Sequence, residues 1–175
     1  MSNVFWITGL SAAGKTTLAH LLTDHLRAAG RCVVMLDGDE LREALAITAE
    51  RRREERLILA FKYARLARMI AVQGVTVVFG AVALFKEIHA WNREHQPGYF
   101  EVYLRVPLEE LRRRDPKGIY RRFDAGELHN VAGLDFPVDE PMCPDILIDY
   151  AHGLLPEAEL ARLMAAFEKA YPVAV

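Results

Sequence analysis

The chain has 175 residues, 52% apolar and 26% charged, a profile of one ordinary globular domain that excludes a low-complexity or fibrous chain. Its 22 basic and 24 acidic residues leave a net charge of −2, so the bulk balance gives no reason to expect a nucleic-acid or membrane partner. Cys32 and Cys143 are too few for a disulfide framework and are expected as free thiols; no apolar stretch reaches the roughly 20 residues of a bilayer span, no basic leader precedes the first strand-like run, and cytoplasm is the expected compartment.

Val4–Thr8 is a short apolar run that ends at Gly9. Lys15–Ala29 carries leucines at helical spacing (Leu18, Leu21, Leu22, Leu26) and stops at Gly30, the residue type that follows a helix end. Cys32–Leu36 is again apolar and ends in Asp37-Gly38-Asp39. Glu55–Val72 reads as a long amphipathic helix closed by Gly74, Val75–Phe79 as a buried strand, Leu84–Glu94 as a helix and Phe100–Val106 as a strand. Pro107 suits the first turn of a helix running to Arg114. Residues 115–144 mix Gly, Pro and charge with little periodicity. Asp145–Ile148 is the last strand-like run and Pro156–Ala170 the last helix. This alternation predicts a single domain over residues 1–175 of the α/β class. It has three layers, with a central parallel sheet of about five strands and helices on both faces. An irregular stretch as long as 115–144 is uncommon as an idle loop, and its Pro, Gly and basic content fits a lid over a phosphate site.

Gly9-Leu10-Ser11-Ala12-Ala13-Gly14-Lys15-Thr16 satisfies G-x-x-x-x-G-K-[ST]. Glycines let the backbone turn tightly, so that successive N–H groups point at phosphate oxygens. The helix that starts near Lys15 aims its positive end at the same anion. Lys15 is expected to bridge the β- and γ-phosphates of ATP, Thr16 to place its hydroxyl on Mg²⁺, and the phosphate-contacting set to run on to Thr17. The bland alternative is a Gly-rich turn. An apolar strand before the motif and an amphipathic helix after it favour the phosphate-binding reading.

The second strand ends in Asp37-Gly38-Asp39-Glu40-Leu41-Arg42. In a parallel sheet, strand ends beside the phosphate loop face the ligand crevice. Two carboxylates there suit two tasks. Asp37 is expected to help order Mg²⁺ and Asp39 to accept the proton of an attacking hydroxyl. Arg42, three residues beyond Asp39, shares its helical face and is suited to an anionic acceptor. A capped Asp-Gly turn is the plain alternative.

With these blocks in order, the chain resembles the adenylylsulfate (APS) kinase family of P-loop kinases over almost its whole length. The matching blocks are Thr8–Ser11, Asp37-Gly38-Asp39 followed by Arg42, Arg114-Asp115-Pro116-Lys117-Gly118-Ile119-Tyr120, Gly126-Glu127, Gly133-Leu134-Asp135 and Glu140-Pro141. The resemblance implies phosphorylation of the ribose 3′-hydroxyl of adenylylsulfate by ATP·Mg²⁺. It implies Asp39 as general base, Arg42 and Arg56 as holders of the acceptor's anionic groups, and Lys117 as a contact to the acceptor or the transferring phosphate. Arg56 otherwise belongs to a mixed charge run, 51–56, that would ordinarily be a solvated helix start. Arg114 and the Pro141–Pro144 loop are candidates for the adenine of ATP by position. A homodimer is expected by family analogy alone.

The acceptor side departs from the family. The aromatic expected against the acceptor's adenine falls at Arg51, and a second at Val131; an expected asparagine falls at Leu59 and a serine at Ala83. Loss of both stacking faces removes apolar and π contact that holds a purine. Some kinases of this family, in bacterial capsule pathways, act on cytidine diphosphoramidate, and Ala83-Leu84-Phe85, Trp91-Asn92-Arg93-Glu94 and Gln73-Gly74 resemble that branch. Phe85 and Trp91, at helical spacing, read first as core. The histidines have no metal-ligand spacing, and no metal is expected beyond the nucleotide's Mg²⁺. A nucleotide-dependent switch, or a binding module without catalysis, is the rival class. Lys15, Thr16 and Asp39 together argue against the latter.

Overall fold

The computed structural model describes residues 2–47 and 52–172. Five strands, β1 (Val4–Thr8), β2 (Val33–Asp37), β3 (Thr76–Ala81), β4 (Tyr99–Arg105) and β5 (Ile146–Asp149), form one sheet in the order β2-β3-β1-β4-β5. Every pairing is parallel; Val4 sits opposite Val77 on one side and Tyr99 on the other. The helices are α1 (Lys15–Ala28), α2 (Gly38–Ala44), α3 (Arg53–Ala71), α4 (Lys86–His95), α5 (Leu108–Arg114), α6 (Ile119–Asp124) and α7 (Pro156–Ala170).

β1 is buried along its whole length, and its side chains divide by the twofold alternation of a strand. Phe5 and Ile7 pack in one cluster with Leu18, Leu22 and Leu26 of α1 and Leu163 and Phe167 of α7. Val4 and Trp6 pack in the other, with Tyr63 and Ala67 of α3 and Ile88 of α4. These are the two outer layers, and they explain why the strands read as unbroken apolar runs. α1 ends in a Schellman turn. Gly30, at φ 78°, donates to the Arg27 carbonyl (2.9 Å) and Arg31 to that of Leu26 (3.0 Å).

Sheet order positions the site. From central β1 the chain goes to one side for β2 and β3 and to the other for β4 and β5. The loops at the carboxyl ends diverge there and leave a crevice, as in other open α/β sheets. The 115–144 segment returns over this crevice. It is not wholly irregular, since α6 lies within it. Cys32 and Cys143 are exposed free thiols. Among the described residues, no helix is long and apolar enough to cross a membrane.

Candidate functional site

The loop from Gly9 to Gly14 joins β1 to α1. A side chain at Gly9 would lie 2.7 Å from the Leu104 carbonyl oxygen, so only glycine lets the loop leave the sheet this close to β4. Gly14, left-handed at φ 100°, caps α1, and a Cβ there would meet nothing within 4 Å, so this part of the loop faces open space. The first turn of α1 thus presents its N–H groups to the crevice. Ala12 is also left-handed, at φ 63°, a conformation that strains an L side chain. Ala12→Gly should therefore stabilise the protein by about 0.5–1 kcal/mol after allowing for glycine's greater unfolded-state freedom. Urea unfolding reads this directly, and a fall in midpoint would contradict it.

Lys15 folds back over the loop and donates to the Leu10 carbonyl at 2.7 Å. Burial of its ammonium, then the neighbouring charge of Lys117, lower its pKa to about 7, against the opposing pull of Asp37. A polyphosphate placed on the loop would restore the charge. Above pH 7 the free protein holds Lys15 neutral and the bound protein holds it charged, so binding takes up a proton. At pH 9, calorimetry of ATP in EDTA, run in buffers of different ionisation enthalpy, should show uptake of close to one proton. Affinity should fall up to tenfold per pH unit above 7. No uptake would place Lys15 away from the phosphates.

Asp37 ends β2 and caps α2. Its Oδ1 accepts the Asp39 N–H (2.8 Å), while Oδ2 accepts the Thr16 hydroxyl (2.8 Å). The carboxylate is 8% exposed, so both oxygens are committed at the loop. This hydroxyl–carboxylate pair is a hard-oxygen donor set of the kind that suits Mg²⁺, an ion usually shared with substrate phosphates rather than caged by protein. Among the described residues no group of three or more His, Cys, Asp or Glu forms such a cage.

Asp39, on the first turn of α2, is half exposed and carries two ion pairs. Arg42 approaches from one turn along α2 and Lys117 from the 115–144 segment. That segment is fastened to the phosphate loop at two further points. The Tyr120 hydroxyl donates to the Ser11 carbonyl (3.0 Å). Gly133, at φ 82°, lies so close to Leu10 that a Cβ would come within 2.8 Å of its side chain. Burial, with Asp115 adding to it, pushes the Tyr120 pKa up to about 12, so the hydroxyl remains a donor. Phe136 is a site-forming residue without a sequence signal, because it sits where the pattern has no period; Tyr120 stands in a matched block, but nothing in the sequence points to its contact with Ser11.

One cavity of about 1140 Å³ collects most of the candidates. Ser11, Ala12, Gly14, Lys15, Thr16, Thr17, Asp37, Asp39, Arg42, Arg56, Arg114 and Lys117 all line it. Gly9, Leu10 and Ala13 do not; they shape the loop from behind, Leu10 by accepting from Lys15 and from the Ala13 N–H (3.2 Å). Neither Pro141 nor Pro144 reaches the cavity wall, and Arg121 and Arg122 are likewise outside it. Arg114 is held by Glu110 (Nε to Oε1, 2.6 Å) with its guanidinium 5.0 Å from the Tyr150 ring. Arg56 donates to the Asn130 carbonyl (2.7 Å) and lies over the Phe136 ring at 4.4 Å. Five cationic and three acidic side chains line the cavity, a balance that suits anionic ligands. Its size exceeds the usual 300–1,000 Å³ of a single-ligand pocket.

Of the positions that the sequence set against the acceptor, Val131, Leu59 and Ala83 line the cavity, whereas Arg51 lies outside the described residues. Phe85 belongs to the core, at 5% exposure, yet also forms part of the cavity wall. Trp91 does not reach the cavity. It stacks on His95 at 4.7 Å and meets Phe61 edge-on.

Comparison with known proteins gives a consistent picture. The family profile described as adenylylsulphate kinase matches residues 1–149. A cytidine diphosphoramidate kinase of Campylobacter jejuni is 37% identical over 138 residues, covering 79% of this chain and 81% of the relative. A probable adenylyl-sulfate kinase of Aeropyrum pernix is 39% identical over 150 residues, covering 83% and 82%. The Mycobacterium tuberculosis APS kinase, solved in complex with AMPPNP and APS, superposes with a TM-score of 0.88 at 29% identity, covering 95% of this chain and 98% of that one.

Proposed function

This chain belongs to the adenylylsulphate kinase family, and from that premise we propose that it transfers the γ-phosphoryl group of ATP to the ribose 3′-hydroxyl of a nucleotide 5′-derivative. The simplest acceptor is adenylylsulfate, giving 3′-phosphoadenylylsulfate. One observation carries the reading: Lys15, the Thr16–Asp37 pair and Asp39 converge on a single cationic cavity large enough for two substrates.

Backbone amides of the Gly9–Thr17 stretch and the start of α1 cradle the triphosphate. Lys15 reaches the β- and γ-phosphates. Thr16 and Asp37 would hold Mg²⁺, whose charge, when bound, offsets that of the phosphate oxygens. Asp39 accepts the proton of the acceptor hydroxyl as its oxygen attacks the γ-phosphorus and the bond to the ADP oxygen breaks. Arg42 and Lys117, paired with Asp39 in the protein alone, lie where the acceptor's anionic group and the transferring phosphoryl would sit. The 115–144 segment acts as the lid that excludes water. Arg114, which lines the cavity where Pro141 and Pro144 do not, is the proposed contact to the adenine of ATP. The protein is proposed to work in the cytoplasm as a homodimer, which gel filtration tests.

A second acceptor, cytidine diphosphoramidate, is favoured by one feature of the wall. Val131 offers no aromatic face where a purine would stack, and the Campylobacter relative is named for that substrate. ADP release should be followed with ATP·Mg²⁺ and each acceptor in turn, with the product analysed for a 3′-phosphate. Release is expected only with an acceptor present. Equal release without one would instead point to a hydrolytic switch.

A further inference from the structure

The turn that brings Lys117 into the cavity also reaches behind the phosphate loop. Pro116, Lys117 and Ile119 line the cavity. Tyr120, 1% exposed, instead belongs to the core cluster that holds Ala13, Leu18, Leu104 and Leu111. From there its hydroxyl donates to the Ser11 carbonyl at 3.0 Å. The turn has supports of its own besides this bond. Asp115 accepts the Tyr120 N–H at Oδ1 (3.2 Å) and the Arg121 N–H at Oδ2 (3.0 Å), and its carbonyl accepts the Gly118 N–H (3.0 Å). A trans peptide points its C=O and the next N–H in opposite directions. With the Ser11 carbonyl on the core side, the Ala12 N–H is turned toward the cavity, which Ser11 and Ala12 both line. Rotating that peptide would change the φ of Ala12, which stands at 63°, a left-handed value that persists only where the surroundings impose it. The Tyr120 hydroxyl is such a restraint.

We infer that Tyr120 is a positioning residue for phosphoryl transfer: from the core side of the phosphate loop its hydroxyl fixes the Ser11–Ala12 peptide, and so holds the Ala12 N–H as a donor to the triphosphate. This rests on the ATP reading above and adds a residue to it. A donor fixed before the ligand arrives costs no reorganisation when charge develops on the phosphoryl oxygens. Burial pushes the Tyr120 pKa up to about 12, so the hydroxyl keeps its proton at neutral pH and stays a donor. The same turn carries Lys117 to Asp39, so one short segment bears on both the loop and the base.

Amide NMR spectra of the isotope-labelled full chain, titrated with AMPPNP·Mg²⁺, read the Ala12 N–H directly and need no acceptor. In the parent the Ala12 amide proton should move downfield together with those of Gly14 and Lys15. In Tyr120→Phe, which keeps the ring and removes only the hydroxyl, most of the Ala12 shift should be lost while those of Gly14 and Lys15 remain. With whichever of adenylylsulfate or cytidine diphosphoramidate the parent phosphorylates, kcat of this variant should fall about tenfold. The acceptor KM should stay within about twofold, because Asp115 still holds the turn that carries Lys117. Phe123→Leu, on the same helix and packed against the same core cluster, should leave both the Ala12 shift and kcat near the parental values. A full Ala12 shift in Tyr120→Phe would overturn the inference, and so would an equal loss in Phe123→Leu, which would reduce Tyr120 to packing. If Tyr120→Phe does not fold, the parent alone still decides against it wherever Ala12 stays put while Gly14 and Lys15 move. A titration that moves none of these amides would instead remove the ATP reading, and the inference with it.

Discussion

Lys15→Ala should lower kcat by about 10²–10³-fold, the usual loss when a donor aimed at developing charge is removed from a water-poor site. The Lys15 ammonium donates to the Leu10 carbonyl. Burial lowers its pKa to about 7, so the folded protein holds the cation at a disadvantage until a polyanion arrives. Two results should therefore move in opposite directions. The alanine variant should melt no lower than the parent without nucleotide, because a desolvated amine has been removed. It should also lose most of the melting shift that ATP·Mg²⁺ gives the parent. A variant that transfers phosphoryl at the parental rate would take Lys15 out of the chemistry. A variant that melts several degrees lower would make the lysine structural.

The phosphate loop was legible because its signal is local: the motif spans eight positions, and the strand and helix that frame it have strong patterns of their own. β1 is found where the apolar run lies, Val4–Thr8, and α1 begins at Lys15 as its spacing requires. α2 shows in the sequence only as a shared face of Asp39 and Arg42, and α6 is missed: with 7 and 6 residues, neither is long enough for a 3.6-residue period to emerge, and neither has a signal such as Pro107, which marks the equally short α5. α6 also follows Gly118 in a left-handed conformation, which reads in sequence as a loop. Contacts far apart in the chain were not legible at all. Lys117 stood out inside its block, yet its pairing with Asp39 joins residues 78 positions apart, and the Tyr120 hydroxyl reaches Ser11 across 109. Phe136 follows Asp135 in a stretch without period, so nothing in the pattern marks it as the wall behind Arg56. Phe85, read as core, is both core and wall, because Leu59, Ala60, Tyr63 and Phe136 of the same core cluster also line the cavity.

Asp39→Asn should reduce kcat by about 10²–10⁴-fold while ATP affinity stays near the parental value. Asparagine keeps the size of the side chain and one acceptor oxygen, so it can still orient a hydroxyl; it cannot take the proton. The structure offers a competing explanation, because the same carboxylate is the partner of Lys117 and Arg42. If Asp39 served only to hold the 115–144 segment down through Lys117, then Lys117→Ala would reproduce the Asn variant, with the acceptor KM rising together with any change in kcat. If Asp39 is the base, the two variants separate. Asp39→Asn then loses kcat with little change in acceptor KM, whereas Lys117→Ala retains the pH dependence of the parent. Exposed pairs such as these contribute roughly 0–1 kcal/mol to stability, so neither substitution should shift the melting temperature far, and the kinetic comparison is free of unfolding. Normal turnover in Asp39→Asn would leave the acceptor hydroxyl to lose its proton to the phosphoryl oxygens themselves, with Asp39 reduced to a tether for the cations on either side of it.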